Sequence, residues 1–139
     1  MHVTHQPREV PVSIVIPCGA DAVALAPLLA AIESGSCWPA EVLVVDAVHQ
    51  LHGKVLCAEP FVSRVRVIDA PVPLFPGEAR NLGCQVASMS WFAFLDLNTL
   101  PSPHWLEELY ATSQRHPDAE LVLGSTRYCF QSWQQSLFI

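Results

Sequence analysis

A chain of 139 residues suits one domain. With 51% hydrophobic residues, 14% charged residues and a net charge of -6, it has enough apolar material for a core and too little charge for a disordered chain. The single lysine, Lys54, and six scattered arginines form no basic patch, which argues against a nucleic-acid surface and against a P-loop.

The polar segment Met1 to Glu9 carries no apolar signal-peptide core and is expected to be a flexible terminus. No apolar run of ~18 residues follows anywhere, so no membrane segment is expected and the chain is placed in the cytoplasm. Five cysteines at 18, 37, 57, 84 and 129, with no CxxC pair, read as reduced thiols used as small hydrophobes.

Val12 to Ile16 is β-branched almost throughout and predicts a strand buried on both faces, closed by Pro17. Asp21 is placed to cap a helix running to about Ser34, whose Leu25, Leu28, Leu29 and Ile32 share one face. Gly35 and Pro39 mark the return to a second buried strand, Glu41 to Asp46. Residues 49 to 60 are ambiguous, with a short helix as one option. Val65 to Asp69 predicts a third strand, and Pro71, Pro73 and Pro76 stiffen the loop after it.

Gly77 to about Ser88 predicts a helix whose small residues Ala79 and Gly83, with Leu82, Val86 and Ala87, permit close packing. Trp91 to Leu95 predicts a fourth strand ending at Asp96. Ser102 is expected to cap a further helix with Pro103 at its first position and Leu106, Leu109, Tyr110 and Ser113 on its inner face. Ala119 to Leu123 predicts a fifth strand. Strand and helix alternate, so the expected fold is α/β, a three-layer α/β/α arrangement around a mainly parallel sheet. It occupies residues 10-130. Residues 131-139 end on an apolar run without a stop signal, which reads as the start of a missing half and the chain as truncated.

Ligands of open parallel sheets bind outside the carboxyl ends of the strands. Pro17 and Cys18, Asp46, and Asp96 with Asn98 all fall there, with Arg80 and Asn81 on an intervening helix. Asp46 taken alone reads more commonly as a turn cap, and Asp96-Leu97-Asn98-Thr99 could be an ordinary Asx turn. As a set they are expected to converge on one cleft. His49 and His52 lack a third ligand and read as part of a solvated loop. A receiver domain and a dinucleotide-binding dehydrogenase rank last, because the motifs each requires are missing.

The same residues resemble the family 2 glycosyltransferases, whose catalytic domain has the GT-A fold. Val12 to Pro17 looks like the opening strand of that family and Glu41 to Asp46 like its second. Gly77-Glu78-Ala79-Arg80-Asn81-Leu82-Gly83 resembles its G-x-ARN-x-G helix, Phe94 to Asn98 its FLDxD segment, and Pro103 to Leu109 the helix that follows. The resemblance covers about residues 10 to 124. It implies transfer of a sugar from a nucleotide-diphosphate sugar to an acceptor with inversion, in polysaccharide biosynthesis among other settings. It implies further that Asp46 accepts a hydrogen bond from the base and that Pro17 and Cys18 line the base pocket. Arg80 and Asn81 would support the nucleotide, Asp96 would hold the ribose, and a divalent cation, Mg or Mn, would lie at Asp96 and Asn98. Two departures stand out: the acidic pair reads Asp46-Ala47, and Asn98 offers a cation only a neutral oxygen. The general base of the family lies beyond the residues of this chain. A catalytically silent nucleotide-binding or interaction module is the alternative, and an uncovered apolar face would favour self-association.

Overall fold

The computed structural model describes residues 6–52, 54 and 57–127. In chain order the elements are β1 (Arg8–Cys18), α1 (Leu25–Glu33), β2 (Cys37–Asp46), β3 (Val65–Asp69), α2 (Pro76–Val86), β4 (Trp91–Phe94) and α3 (Trp105–Arg115), with single 3-10 turns at Ala22–Ala24 and Phe61–Arg64. All pairings are parallel, in the order β3-β2-β1-β4. Every strand therefore delivers its carboxyl end to the same edge.

Burial on both faces explains the β-branched runs. Along β1, Ile14 and Ile16 enter one apolar layer with Val42 and Val44 of β2, beneath Leu28, Leu29 and Ile32 of α1 and Leu106 of α3. Val15, Leu43 and Val45 point to the other side and pack against Ala79 of α2. Helices thus cover both faces of the sheet, giving the three layers expected from the alternating pattern. Each buried Leu or Ile contributes about 1.5–3 kcal/mol by leaving water, and α1 buries all four residues of its predicted stripe.

The strands begin earlier than their apolar runs. β1 opens at Arg8, inside the stretch expected to be flexible, because Arg8 and Glu9 pair with Cys37 and Trp38. β2 extends back through Pro39, expected as a turn. Since β3 pairs only from Val42 onward, Pro39 has a single neighbouring strand, a position that tolerates the missing N–H. Asp21 makes no side-chain cap; its backbone oxygen accepts from Ala24 at 3.0 Å in a 3-10 turn before α1. Ser102 likewise caps nothing. The carbonyl of Pro103 accepts the backbone N–H of Ser36 at 2.8 Å, which ties this residue to the start of β2 and leaves α3 to begin at Trp105.

The predicted fifth strand is absent among the described residues. Ala119 to Leu123 pairs with no strand, and Leu121 and Leu123 are exposed. A short apolar run becomes a strand only when a ladder partner is in reach, and none of the four strands pairs with it. Cys129 and residues 131-139 lie outside the described residues.

Candidate active site

Four carboxyl ends meet at one edge: Cys18 of β1, Asp46 of β2, Asp69 of β3 and Phe94 of β4, with Asp96 two residues further on. The loop after β3 crosses this edge. Ala70 donates its backbone N–H to the carbonyl of Asp46 and Leu74 donates to Ala47, so the amino end of α2 is delivered there as well. Glu78 secures it, its carboxylate accepting the backbone N–H of Phe75 at 3.0 Å. This is half of a capping box, since a phenyl side chain cannot reciprocate. The residue escaped the sequence reading, although an acid at the third helical position is the usual sign of such a cap.

Arg80 and Asp96 come together. Nη2 of Arg80 donates to Oδ1 of Asp96 at 2.6 Å, joining α2 to the segment beyond β4. The carboxylate is 63% exposed and the guanidinium 34%, so the pair stands in reach of a ligand and adds little to stability. Asn81 and Asn98 are exposed nearby in sequence, on α2 and after β4.

Asp46 does not join them. Its side chain is fully buried, and its two oxygens accept the backbone N–H groups of Gln50 and Leu51, each at 3.0 Å. β1 lies between β2 and β4, which separates the two aspartates by roughly 10 Å of sheet. This corrects the expectation of two aspartates converging on one cleft. Two backbone donors offset the cost of taking the carboxylate out of water, and the turn after β2 supplies them. Pro17 and Cys18 are buried too. Burial, and then the negative charge of Asp46, pushes the Cys18 thiol up to about 11, so it behaves as an inert hydrophobe.

The cation expected at Asp96 and Asn98 is poorly served. Asp96 is engaged by Arg80, Asn98 brings only an amide oxygen, and no group of three or more His, Cys, Asp or Glu side chains among the described residues is placed to hold a metal ion. Mg or Mn bound here would need most of its ligands from a diphosphate and water. The residues do not fit a cation held by the protein alone. A cavity of about 300 Å³ exists at the opposite edge, between the start of β1 and α3, lined by Arg8, Val10, Glu107, Tyr110, Gln114 and Arg115. It shares no residue with the carboxyl edge.

A three-layer domain with an all-parallel sheet, whose carboxyl edge carries an arginine from a G-x-ARN-x-G helix against the aspartate after the fourth strand, has the architecture of the GT-A nucleotide-diphospho-sugar transferases. The chain belongs to glycosyl transferase family 2, whose model matches residues 13–137. Among solved structures, S. aureus TarS 1-349 superposes with a TM-score of 0.65 at 19% identity, over 78% of this chain and 33% of that one. S. aureus TarS gives 0.60 at 19% identity, over 78% of this chain and 20% of that one. TarS 1-349 in complex with UDP-GlcNAc gives 0.60 at 18% identity, over 78% and 32%. At such identities the likeness shows the fold. The chain spans a third or less of the length of these TarS chains. No curated protein sequence matches it.

Proposed function

We propose that this chain is the donor-binding part of a family 2 glycosyltransferase. It binds a nucleotide-diphosphate sugar at the carboxyl edge, and the sugar passes to an acceptor hydroxyl with inversion. The observation that carries this reading is the exposed Arg80–Asp96 pair at that edge, in a chain of this family. A guanidinium has five N–H donors. With one of them on Asp96, others remain for diphosphate oxygens, where charge grows as the glycosidic bond breaks. Asp96, held by Arg80, presents its second oxygen to the ribose hydroxyls. No described residue is assigned as the base that takes the acceptor proton.

The structure of a TarS fragment in complex with UDP-GlcNAc makes a uridine diphosphate sugar the first donor to try. We place the activity in the cytoplasm and in polysaccharide biosynthesis. Support for the compartment comes from the four described cysteines, all of them free thiols. No helix among the described residues is long and apolar enough to cross a membrane.

A second reading, a nucleotide-binding or interaction module without catalysis, is favoured by one observation. Asn98 stands where the family has its closing acid, and among the described residues no group of three or more His, Cys, Asp or Glu side chains is placed to hold a metal ion. Calorimetric titration with uridine and guanosine diphosphate sugars, with Mn²⁺ and then with chelator, separates the two. Binding that weakens in Arg80→Ala and product formed with a sugar acceptor support the transferase. Binding without turnover supports the module, and no binding to any nucleotide sinks the donor site altogether.

A further inference from the structure

The segment after β2 is set by its surroundings to an unusual degree. Asp46 is fully buried, and both its oxygens are spent on the backbone of Gln50 and Leu51. Ala47 is tied on two sides, its N–H to the carbonyl of Cys18 at 2.9 Å and its carbonyl to the N–H of Leu74 at 3.1 Å. Between these anchors His49 takes φ 57°, and just beyond them His52 takes φ 49°, left-handed conformations that are uncommon outside glycine. Such a conformation persists where neighbouring bonds over-determine it, and it is concentrated at ligand clamps and switch regions. His49 and Gln50 are left exposed at the carboxyl edge. They carry an imidazole and an amide, each able to donate and to accept.

We infer that Asp46 is a positioning residue, acting through the backbone of Gln50 and Leu51 to preset loop 47–52, and that His49 and Gln50 read the nucleotide base in its place. The inference rests on the donor-site reading. A base with an imide N–H flanked by carbonyls needs an acceptor and a donor side by side. The amide of Gln50 offers both in one plane, whereas the carboxylate of Asp46 is closed off from the edge.

Amide hydrogen exchange on the complete chain, paired with calorimetric titration by uridine diphosphate and by guanosine diphosphate, tests this. Asp46→Ala should speed exchange at Gln50 and Leu51 without nucleotide and weaken binding. If that variant fails to fold, the isosteric Asp46→Asn still serves. One of its oxygens becomes an NH2, so one of the two amides loses its acceptor and its protection. His49→Gly is the sharper probe. Glycine relaxes the left-handed backbone, so the loop and the folding midpoint hold or improve. Affinity should nevertheless fall, as it should in Gln50→Ala, by roughly three- to tenfold each, the worth of one neutral hydrogen bond. The inference is overturned if Asp46→Asn abolishes binding while both amides stay protected, because Asp46 then touches the ligand. It is overturned equally if the double variant His49→Gly, Gln50→Ala binds as the parent does. Should the parent bind neither nucleotide, the donor-site reading fails, and the exchange data still show whether Asp46 holds the loop.

Discussion

Gly83 of α2 lies so close to Val15 of β1 that a Cβ built on it falls 2.4 Å from Cγ1 of the valine. Replacing glycine by alanine in a helix interior ordinarily stabilises by about 1 kcal/mol. Here the added methyl has no room, because Val15 is fully buried in the central strand. Gly83→Ala should destabilise the fold by about 1–3 kcal/mol, the range for overpacking a core. Urea denaturation reads it directly, and an unchanged or raised midpoint would mean that α2 stands further from the sheet. The same variant should weaken nucleotide binding, since α2 carries Arg80.

The Arg80–Asp96 pair predicts the opposite balance. Both groups are partly solvated, so a double-mutant cycle with Arg80→Ala and Asp96→Ala should give a coupling energy below about 1 kcal/mol for stability. Nucleotide affinity should drop in both single variants. A large stability coupling with unaltered affinity would make the pair a strut and not part of a site.

Glu41 predicts the acid limb of stability. Burial pushes its carboxyl up, but the backbone N–H of Ser88, the hydroxyl of Ser13 and the nearby charge of Arg66 outweigh this and hold it below its ordinary value of 4.5. A carboxyl lowered on folding stabilises the protein above its unfolded pKa, and that contribution vanishes as pH falls through the lower folded value. As pH falls from neutral to below that ordinary value of 4.5, Glu41→Gln should therefore lose less stability than the parent. Parallel pH profiles of the two urea midpoints would remove Glu41 from the account.

Thiol labelling should distinguish the cysteines. With its thiol raised to about 11 and fully buried, Cys18 should resist iodoacetamide at pH 8 while the chain is folded, whereas the half-buried Cys57 and Cys84 react first. Peptide mapping by mass spectrometry after a short pulse checks the order. Cys18 labelled as fast as Cys84 would mean that the end of β1 is open.

Phe92 and Phe94 project from the same face of β4 with 39% and 47% of their surface exposed, and Leu121 and Leu123 are exposed too. A face of this kind favours association. Light scattering of the 139-residue chain should show mass rising with concentration, and a double change of Phe92 and Phe94 to serine should suppress the rise. A monomer at every concentration would count against the uncovered face.

Local pattern and long-range context divided what the amino acids disclose. The β-branched runs of β1 and β2 and the i, i+3, i+4 stripe of α1 are dictated by burial on a fixed side, so they could be read without coordinates. Gly83 could be read as a close approach because only a missing side chain permits one. Asp46 could not be resolved, because a carboxylate that faces a ligand and one that caps its own turn leave the same trace in the chain. Its surroundings are fixed by Cys18 and by Ala70 and Leu74, which arrive from two other segments, the end of β1 and the loop after β3. Leu121 to Leu123 misled for a related reason: apolar alternation records a wish for a partner strand, and the partner is a tertiary fact. Arg80 and Asp96 are expected at the same edge, but the bond between them is not part of that reading.

β1 is flanked by β2 on one side and β4 on the other, and the two neighbours leave the ribosome at very different times. The first three strands and α2 can assemble once residue 86 has emerged, whereas β4 waits for residues 91–94. Until then one side of β1 is a bare ladder of N–H and C=O groups, buried later but open to any strand that passes. Nascent chains arrested before residue 91 should bind a holdase chaperone, and chains released past residue 94 should shed it. The order of synthesis thus makes the centre of the finished sheet its most vulnerable margin during birth.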